Sequence, residues 1–309
     1  MNAVVAEESQ APALDFVWME LTNRCNLHCV HCYAESSPYS GARDVLTEAD
    51  YLRLIREVRS LGCPNIQFIG GEPTLNRSLP RLIQEAAAQG FPFIEVFTNL
   101  IQLPEALLQT FVEFNVAVAT SFYSHDPRIH DAITTHLGSF DRTVINMQRV
   151  LAAGLRLRAG IIVMEQNHAG VAETWEFLEA LGVANIGTDR VRGIGRADAS
   201  QACAMGELCG SCAGPILSIG PDGVIAPCNL SKYWAVGSVL SRTLTDIVGS
   251  PELAAIRRQI SESVKHRTPL GPHAICTPKT CAPYSSCCPS TQSCTPCAPH
   301  GCNPCYPKG

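Results

Sequence analysis

The 309-residue chain predicts an α/β fold, a parallel sheet of six βα units followed by a small cysteine-rich region. Three observations carry that expectation. Short apolar runs alternate with amphipathic helical segments from Phe16 to about Arg192. Six βα units in a row imply parallel strands joined by right-handed crossovers. After about residue 195 the alternation stops, and eight of the sixteen cysteines fall beyond residue 275. The chain therefore divides into an N-terminal tail (1–15), a βα region (16–195) and a cysteine-rich region (196–309).

The candidate strands, in order, are FVWMEL (16–21), NIQFI (65–69), FIEVF (93–97), VAVATS (116–121), LRLRAGIIV (155–163) and NIGTDR (185–190). Between them, Thr47–Leu61 is the clearest helix, with Thr47 as N-cap and Leu54, Ile55, Val58 and Leu61 on one face. Ser78–Ala88 is closed by Gly90, and Thr143–Ala153 ends before Gly154, because glycine adopts the left-handed C-cap at least cost. Periodicity alone does not separate an open sheet from a partly closed barrel. Farther on, ILSIGPDGVIAPC reads as a hairpin turning at Pro221-Asp222-Gly223, followed by one helix near Leu244–Ile260. Beyond Thr268, Cys, Pro, Ser and Thr dominate without periodicity, so this tail needs a metal or another staple to hold a shape.

Composition narrows the function classes. A net charge of −5 with no dense Lys/Arg run argues against affinity built on phosphate contacts, and so against nucleic acid as partner. No stretch approaches the roughly 18 uninterrupted apolar residues of a membrane span. The acidic start MNAVVAEESQ is no signal peptide, so a cytoplasmic protein is expected. In a cytosolic chain of enzyme size, abundant cysteine reads as metal binding rather than disulfides.

Cys25-Asn-Leu-His-Cys29-Val-His-Cys32 follows the first strand directly. Three thiolates at this spacing can hold three irons of a cubane cluster and leave the fourth iron open for chemistry. The alternative is a zinc site with His28 or His31 as fourth ligand. Placement at the C-terminal end of a strand, where βα sheets bind ligands, favours the cluster. The turn Gly70-Gly71-Glu72-Pro73-Thr74 follows the second strand. Its glycines are expected to let backbone approach a ligand with peptide groups free, and its carbonyls and Glu72 to take an ammonium group.

In order and spacing, the CxxxCxxC loop with His31 before the third cysteine, and the GGEP turn one βα unit later, resemble the radical S-adenosylmethionine (SAM) superfamily over most of residues 16–192. The resemblance implies a partial (β/α)6, TIM-like barrel. It implies a [4Fe–4S] cluster on Cys25, Cys29 and Cys32 whose open iron chelates SAM, and reductive cleavage giving a 5′-deoxyadenosyl radical that takes a substrate hydrogen. Carried over residue by residue, His31 lies near the adenine, and Gly70, Gly71 and Glu72, with Pro73 in the same turn, bind the SAM amino group. Asn99 and Ser121 sit at strand ends where the family contacts ribose or carboxylate. Arg142 or Arg158 would meet the carboxylate. An external donor such as a flavodoxin or ferredoxin supplies the electron, and the open cluster implies oxygen lability.

Cys212, Gly223 and Cys228, with the segment AVGSVLSRTLTDIVGSPELAAIRRQ, resemble the SPASM extension or its shorter twitch form, a carrier of auxiliary iron–sulfur clusters. His130-Asp131 and Leu137-Gly138-Ser139-Phe140 also match a stretch common in SPASM enzymes, although the Arg usual there is absent. One or two auxiliary clusters are expected, on Cys209, Cys212, Cys228, Cys276, Cys281, Cys287 and Cys294. The tail departs from the usual spacing, with adjacent Cys287-Cys288 and repeated Cys-Pro steps. Cys63 and Cys203 read as small buried or loop residues. Tyr123, His125 and Glu165, near strand ends, read as solvated loop residues.

The resemblance favours modification of a ribosomally made peptide (crosslinking, oxidation or epimerisation), as in peptide maturases. The alternative is dehydrogenation or epimerisation of a small metabolite such as an aminocyclitol, and a more remote one is a non-catalytic metal-binding protein. With only about fifteen residues before the first strand, no fused leader-binding domain is expected. A peptide would be recognised by barrel and tail, or through a separate leader-binding protein.

Overall fold

The computed structural model describes residues 14–198 and 204–265, and all six expected strands are present. They are β1 (Phe16–Glu20), β2 (Asn65–Ile69), β3 (Phe93–Phe97), β4 (Ala117–Ser121), β5 (Leu157–Val163) and β6 (Asn185–Arg190). The helices are α1 (Glu48–Ser60), α2 (Leu79–Ala88), α3 (Glu105–Glu113), α4 (Pro127–Thr134), α5 (Ser139–Ala152) and α6 (Val171–Leu181). Thr47 caps α1 in a reciprocal box: Asp50 N–H donates to Thr47 Oγ1 (3.3 Å) and Thr47 N–H to Asp50 Oδ2 (2.9 Å). Gly90 and Gly154, at φ +72° and +73°, follow α2 and α5 as expected.

Two helices differ from the sequence expectation. Helix α5 begins at Ser139 rather than Thr143, because Asp131 accepts from Gly138 N (2.6 Å), Ser139 Oγ (2.8 Å) and Phe140 N (2.9 Å). A carboxylate from α4 thus satisfies the N–H groups that would otherwise lack partners. The single helix expected over 244–260 is two, α7 (Leu244–Val248) and α8 (Pro251–Lys265). Ser250 Oγ accepts from Leu253 N (3.2 Å), and Pro251 begins α8, where its missing N–H costs nothing.

Strand order is β6-β5-β4-β3-β2-β1-β7-β8-β9, with β7 Ile216–Ile219, β8 Val224–Ala226 and β9 Gly237–Ser238. From β6 to β1 each strand pairs in parallel with its sequence neighbour, and the order never reverses. Side chains from α1, α2, α3, α5 and α6 pack on the Val17, Met19, Val96 and Val118 face. Phe16, Trp18, Phe93 and Ala117 face the other way, covered by Ile194, Leu208, Cys212, Cys228 and Ile260. With crossover helices α1, α2, α3, α5 and α6 all on one face and an unreversed strand order, this is a partial barrel and not a doubly wound open sheet. The C-terminal hairpin is joined to it: β7 pairs in parallel with β1, Phe16 opposite Ile216. Among the described residues no helix is long and apolar enough to cross a membrane.

A buried ion pair crosses the inner face. Arg158 donates from Nε and Nη2 to the two oxygens of Glu95, both at 2.8 Å, and Gln67 Nε2 also donates to Glu95. The side chains of Arg158 and Glu95 are 8 % and 1 % exposed. Arg158 is thus committed to Glu95, which argues against it as the partner of a SAM carboxylate. Glu95→Ala removes that carboxylate from a buried guanidinium and should cost about 3–5 kcal/mol. The paired exchange Glu95→Leu with Arg158→Met should cost much less, as read from urea midpoints; equal losses would mean that the pair is not the source of the effect.

Candidate active site

Strand β1 runs directly into the cysteine loop, and the loop backbone is tied on several sides. Cys25 N–H donates to Ser37 O (3.2 Å) and Cys32 N–H to Cys29 O (3.3 Å). From beyond β6, Arg196 donates from Nε to Cys29 O and from Nη2 to Ser36 O, both 2.8 Å, while its own N–H reaches Cys32 O at 3.1 Å. Cys25 and Cys29 sit in an apolar cluster with Leu27 and Ile101. Burial, then the Glu72 carboxylate, push the Cys25 thiol up to about 12. Burial, then Cys32, do the same to Cys29. Such thiols give up their protons only to a strongly bound cation. Among the described residues no three His, Cys, Asp or Glu side chains gather as ligands for a single metal ion. His28 is exposed, its backbone N–H donating to Thr134 O at 3.3 Å. Three soft sulfur donors on one loop, Cys25 buried and Cys29 and Cys32 half-buried, fit an iron–sulfur cluster.

The Gly70-Gly71 turn meets the loop differently from the sequence expectation. An added Cβ on Gly70, which has φ +133°, would lie 2.8 Å from Thr22 O, and one on Gly71 only 2.2 Å from Arg24 O. Gly71 N–H donates to Thr22 O (2.7 Å) and Glu72 N–H to Arg24 O (2.9 Å). These N–H groups are therefore not free for a ligand; the glycines allow close approach to the cysteine loop itself. Pro73 is buried and begins a one-turn 3₁₀ helix, Pro73–Leu75, with Glu72 as its N-cap.

Glu72 is 1 % exposed. Its Oε1 accepts from Thr74 N (3.0 Å), Thr74 Oγ1 (2.7 Å) and Thr98 Oγ1 (2.7 Å), and its Oε2 from Asn99 N (2.8 Å). Burial pushes its carboxyl above the ordinary range, against these four donors. Glu72 is thus the keystone between the GGEP turn and the end of β3. Asn99 turns back to the loop: its Nδ2 donates to Asn26 Oδ1 (2.7 Å) and lies 3.7 Å from Cys25 Sγ. The next residue, Leu100, is fully buried at φ +59°, a left-handed conformation costly for a branched side chain. From α5, Thr143 Oγ1 donates to Asn99 O (3.0 Å) and Asn146 Nδ2 to Leu100 O (2.7 Å), which holds that strained turn.

Across the loop, Tyr123 corrects the sequence reading, because it is 7 % exposed and not a solvated loop residue. Burial first, then the neighbouring Cys29, push its phenol well above the ordinary value. The His31 ring stands edge-on to Tyr123, centroids 5.0 Å apart. His31 Nδ1 is buried without a hydrogen-bond partner, and burial, then the Arg196 charge, hold the ring down at about 4. A neutral imidazole with an unmet nitrogen beside three thiols fits a site built for a further occupant. Of the remaining candidates, Arg142 is exposed on α5 and Glu165 is exposed in its loop. His125 is half-buried, with its backbone N–H on Thr174 Oγ1 at 3.0 Å. Arg196 and Thr98 were missed by sequence reasoning; only the tertiary fold brings them here.

A second thiol group forms after β6. Cys212 and Cys228 are buried with sulfurs 3.0 Å apart. A hydrogen bond from Cys212 holds the Cys209 thiol down at about 5, helped by Arg192, and raises Cys212 in turn. Cys203, Cys276, Cys281, Cys287 and Cys294 lie outside the described residues. Cys63 is buried beside Asn65 O (3.3 Å), a small core residue as expected.

The radical SAM superfamily profile matches residues 19–178, and the SPASM iron–sulfur cluster-binding domain profile matches residues 209–281. The Fe-coproporphyrin III synthase of Methanosarcina barkeri is 27% identical over 163 residues, 53% of this chain and 40% of that protein. The PqqA peptide cyclase of Granulibacter bethesdensis is 26% identical over 164 residues, 53% of this chain and 43% of that one. The chain thus matches less than half the length of either relative. Streptococcus suis SuiB bound to its precursor peptide SuiA superposes with a TM-score of 0.66 at 13% identity, over 79% of this chain and 67% of that one. That likeness shows the shared fold. With the three-cysteine loop and the GGEP turn joined as described, the chain belongs to the radical SAM superfamily, with a SPASM domain, and takes a [4Fe–4S] cluster that binds SAM and auxiliary iron–sulfur clusters as cofactors.

Proposed function

We propose that this radical SAM enzyme modifies a ribosomally made peptide, with Cys25, Cys29 and Cys32 as ligands of the SAM-binding cluster. When bound, the cluster and SAM supply a 5′-deoxyadenosyl radical that takes a hydrogen from substrate. The observation that carries the ligand assignment is the closure of the site. Asn99 lies 3.7 Å from Cys25 Sγ while its backbone is held by Glu72, and Glu72 is held by the loop carbonyl of Arg24 at 2.9 Å. This knot ties Cys25, the GGEP turn and the end of β3 together, which supports a preorganised site for binding at a fixed geometry. In this reading, the carbonyls of Gly70 and Gly71 and the remaining capacity of Glu72 Oε2 take the SAM amino group. Pro73 sets the turn, Asn99 and Ser121 face the ribose or carboxylate, and His31 borders the adenine. Cys209, Cys212 and Cys228 hold auxiliary iron, completed by cysteines of the tail. A flavodoxin or ferredoxin supplies the electron.

The peptide substrate is supported by the PqqA peptide cyclase among the relatives and by SuiB, crystallised with a precursor peptide. A small-molecule substrate is the second reading, favoured by the match of similar identity to a porphyrin synthase. The first experiment needs no substrate. Protein purified without oxygen, reconstituted with iron and sulfide and given SAM and a strong reductant, should form 5′-deoxyadenosine, with more iron per chain than one cubane requires. No 5′-deoxyadenosine, with zinc in place of iron, would overturn the reading. Short precursor peptides encoded beside the gene are then added, and their intact masses followed; turnover of a metabolite and of no peptide would favour the second reading.

Cys228→Ala separates the two thiol groups. It should leave SAM cleavage measurable, lower the iron content and block product formation. Cleavage falling as far as product would mean that the two sites do not act separately.

A further inference from the structure

We propose that Glu20 is a substrate-binding residue, its carboxyl accepting a hydrogen bond from a donor group of the peptide (an amide N–H, an amine or a hydroxyl). This deepens the reading of the chain as a peptide-modifying enzyme and rests on it. Glu20 ends β1 on the same face as Phe16 and Trp18, toward the inside of the barrel. It stands opposite Ile69, the residue before the Gly70-Gly71 turn, and the cysteine loop follows it in the chain. On the other side, Trp18 pairs with Ser218 of β7 and shares a cluster with Cys212 and Cys228. Lys232, beyond Cys228, lies 4.0 Å from Glu35, beyond Cys32. Glu20 is thus placed where the two thiol-bearing regions meet, at the end of the strands where βα barrels take their ligands.

Three carboxylates are buried among the described residues, Glu20, Glu72 and Glu95, and Glu20 differs from the other two. Glu72 has four donors, and Glu95 is gripped by both arms of Arg158 with Gln67 beside it. Glu20 is 9 % exposed, yet its carboxyl accepts one hydrogen bond, from Ser218 Oγ at 3.2 Å. No Lys or Arg among the described residues forms an ion pair with it. A carboxylate offers about four acceptor positions, so most of its capacity is unused. Burial pushes the carboxyl up to about 7, against the Lys232 charge and the Ser218 hydroxyl. From the helix side, Tyr51 Oη donates to the Glu20 carbonyl at 2.8 Å, which fixes the backbone and leaves the side chain spare. A buried acid held in place with acceptor positions left over is what a site built for a donor presents. Were Glu20 only a tie between β1 and β7, its partner Ser218 would matter as much as the acid itself.

The test uses the reconstituted full-length protein with the precursor peptides encoded beside the gene. It reads the apparent KM for peptide, and the ratio of modified peptide to 5′-deoxyadenosine. Glu20→Gln keeps the shape and the bond from Ser218 but puts a donor where the peptide's donor would bind. It should raise the peptide KM by about tenfold or more, the worth of one hydrogen bond to a charged group, and lower the ratio. Ser218→Ala should change both by much less. Glu20→Asp keeps the acid but withdraws it by one methylene, so it should fall between the wild type and the Gln variant. It carries the same comparison with Ser218→Ala if the Gln variant folds poorly. Wild-type values in both Glu20 variants, or losses in Ser218→Ala equal to theirs, overturn the substrate-binding role and leave the peptide reading standing. A rise in the KM for SAM in place of that for peptide overturns it too. Wild-type protein that forms 5′-deoxyadenosine but changes the mass of no peptide overturns the peptide reading, and this role with it.

Discussion

Cys29→Ala should bring reductive SAM cleavage to the detection limit while leaving the protein folded. The reasons for both halves lie in the loop. What Cys29 contributes to the local backbone is its carbonyl, which accepts from Arg196 Nε at 2.8 Å and from Cys32 N at 3.3 Å, and alanine keeps both. What is lost is one sulfur among the three of the loop. A cubane held by two thiolates has a second iron without a protein ligand, so the cluster is expected to be lost or rearranged. Removing a mere partner of a metal ligand costs roughly 10–100-fold in affinity or activity, and removing the ligand itself should exceed that range. Formation of 5′-deoxyadenosine, measured by liquid chromatography with mass detection and normalised to protein, reads the effect. Cys63→Ala is the control, because Cys63 is a fully buried thiol that lies away from the loop, between α1 and β2 beside Asn65 O. It should lose some stability and no cleavage. Cleavage by the Cys29 variant at the wild-type rate would sink the assignment, whatever iron content accompanied it.

How far the sequence alone reached depends on the range of each interaction. Strands and helices whose signal is local were legible: the Thr47-Asp50 box and the left-handed Gly90 and Gly154 are where periodicity and capping rules put them. The break between α7 and α8 was missed, because apolar spacing across Ser250-Pro251 reads as one helix. The onset of α5 was not, because its cap is Asp131, a residue of the preceding helix. Partner choice in the sheet also has no local signature. Nothing in ILSIGPDGVIAPC says that β7 lies against β1, yet Phe16 pairs with Ile216. In the site, residue types and spacing named the cysteines and the GGEP turn. They misjudged how the two relate, since close approach to a ligand and close approach to another stretch of backbone ask for the same glycines. Tyr123 escaped for a related reason. A tyrosine two residues past a strand reads as solvated until the crossovers bring β4 beside the loop that follows β1.

The same closeness makes Gly71→Ala a disruptive single methyl. Gly71 is not in a left-handed conformation, so the penalty is not one of backbone preference but of space. The added Cβ would lie 2.2 Å from Arg24 O and 2.6 Å from Arg24 C. Backbone cannot swing aside as a side chain would, and Arg24 O is the acceptor of Glu72 N at 2.9 Å. Relief therefore demands that the loop move off the turn. That breaks this hydrogen bond and the 2.7 Å bond from Gly71 N to Thr22 O, and it displaces Cys25, the next residue after Arg24. Overpacking of this kind costs about 1–3 kcal/mol, and two lost backbone bonds in a partly buried setting add to it. The expected outcome is a soluble protein that unfolds more readily, retains little iron after reconstitution and forms no 5′-deoxyadenosine. Gly41→Ala provides the comparison, since a Cβ there meets nothing within 4 Å. It should match the wild type in melting temperature, iron content and cleavage. If Gly71→Ala also matched the wild type, the turn would not brace the loop, and the knot through Glu72 and Asn99 could not be what holds the three cysteines in place.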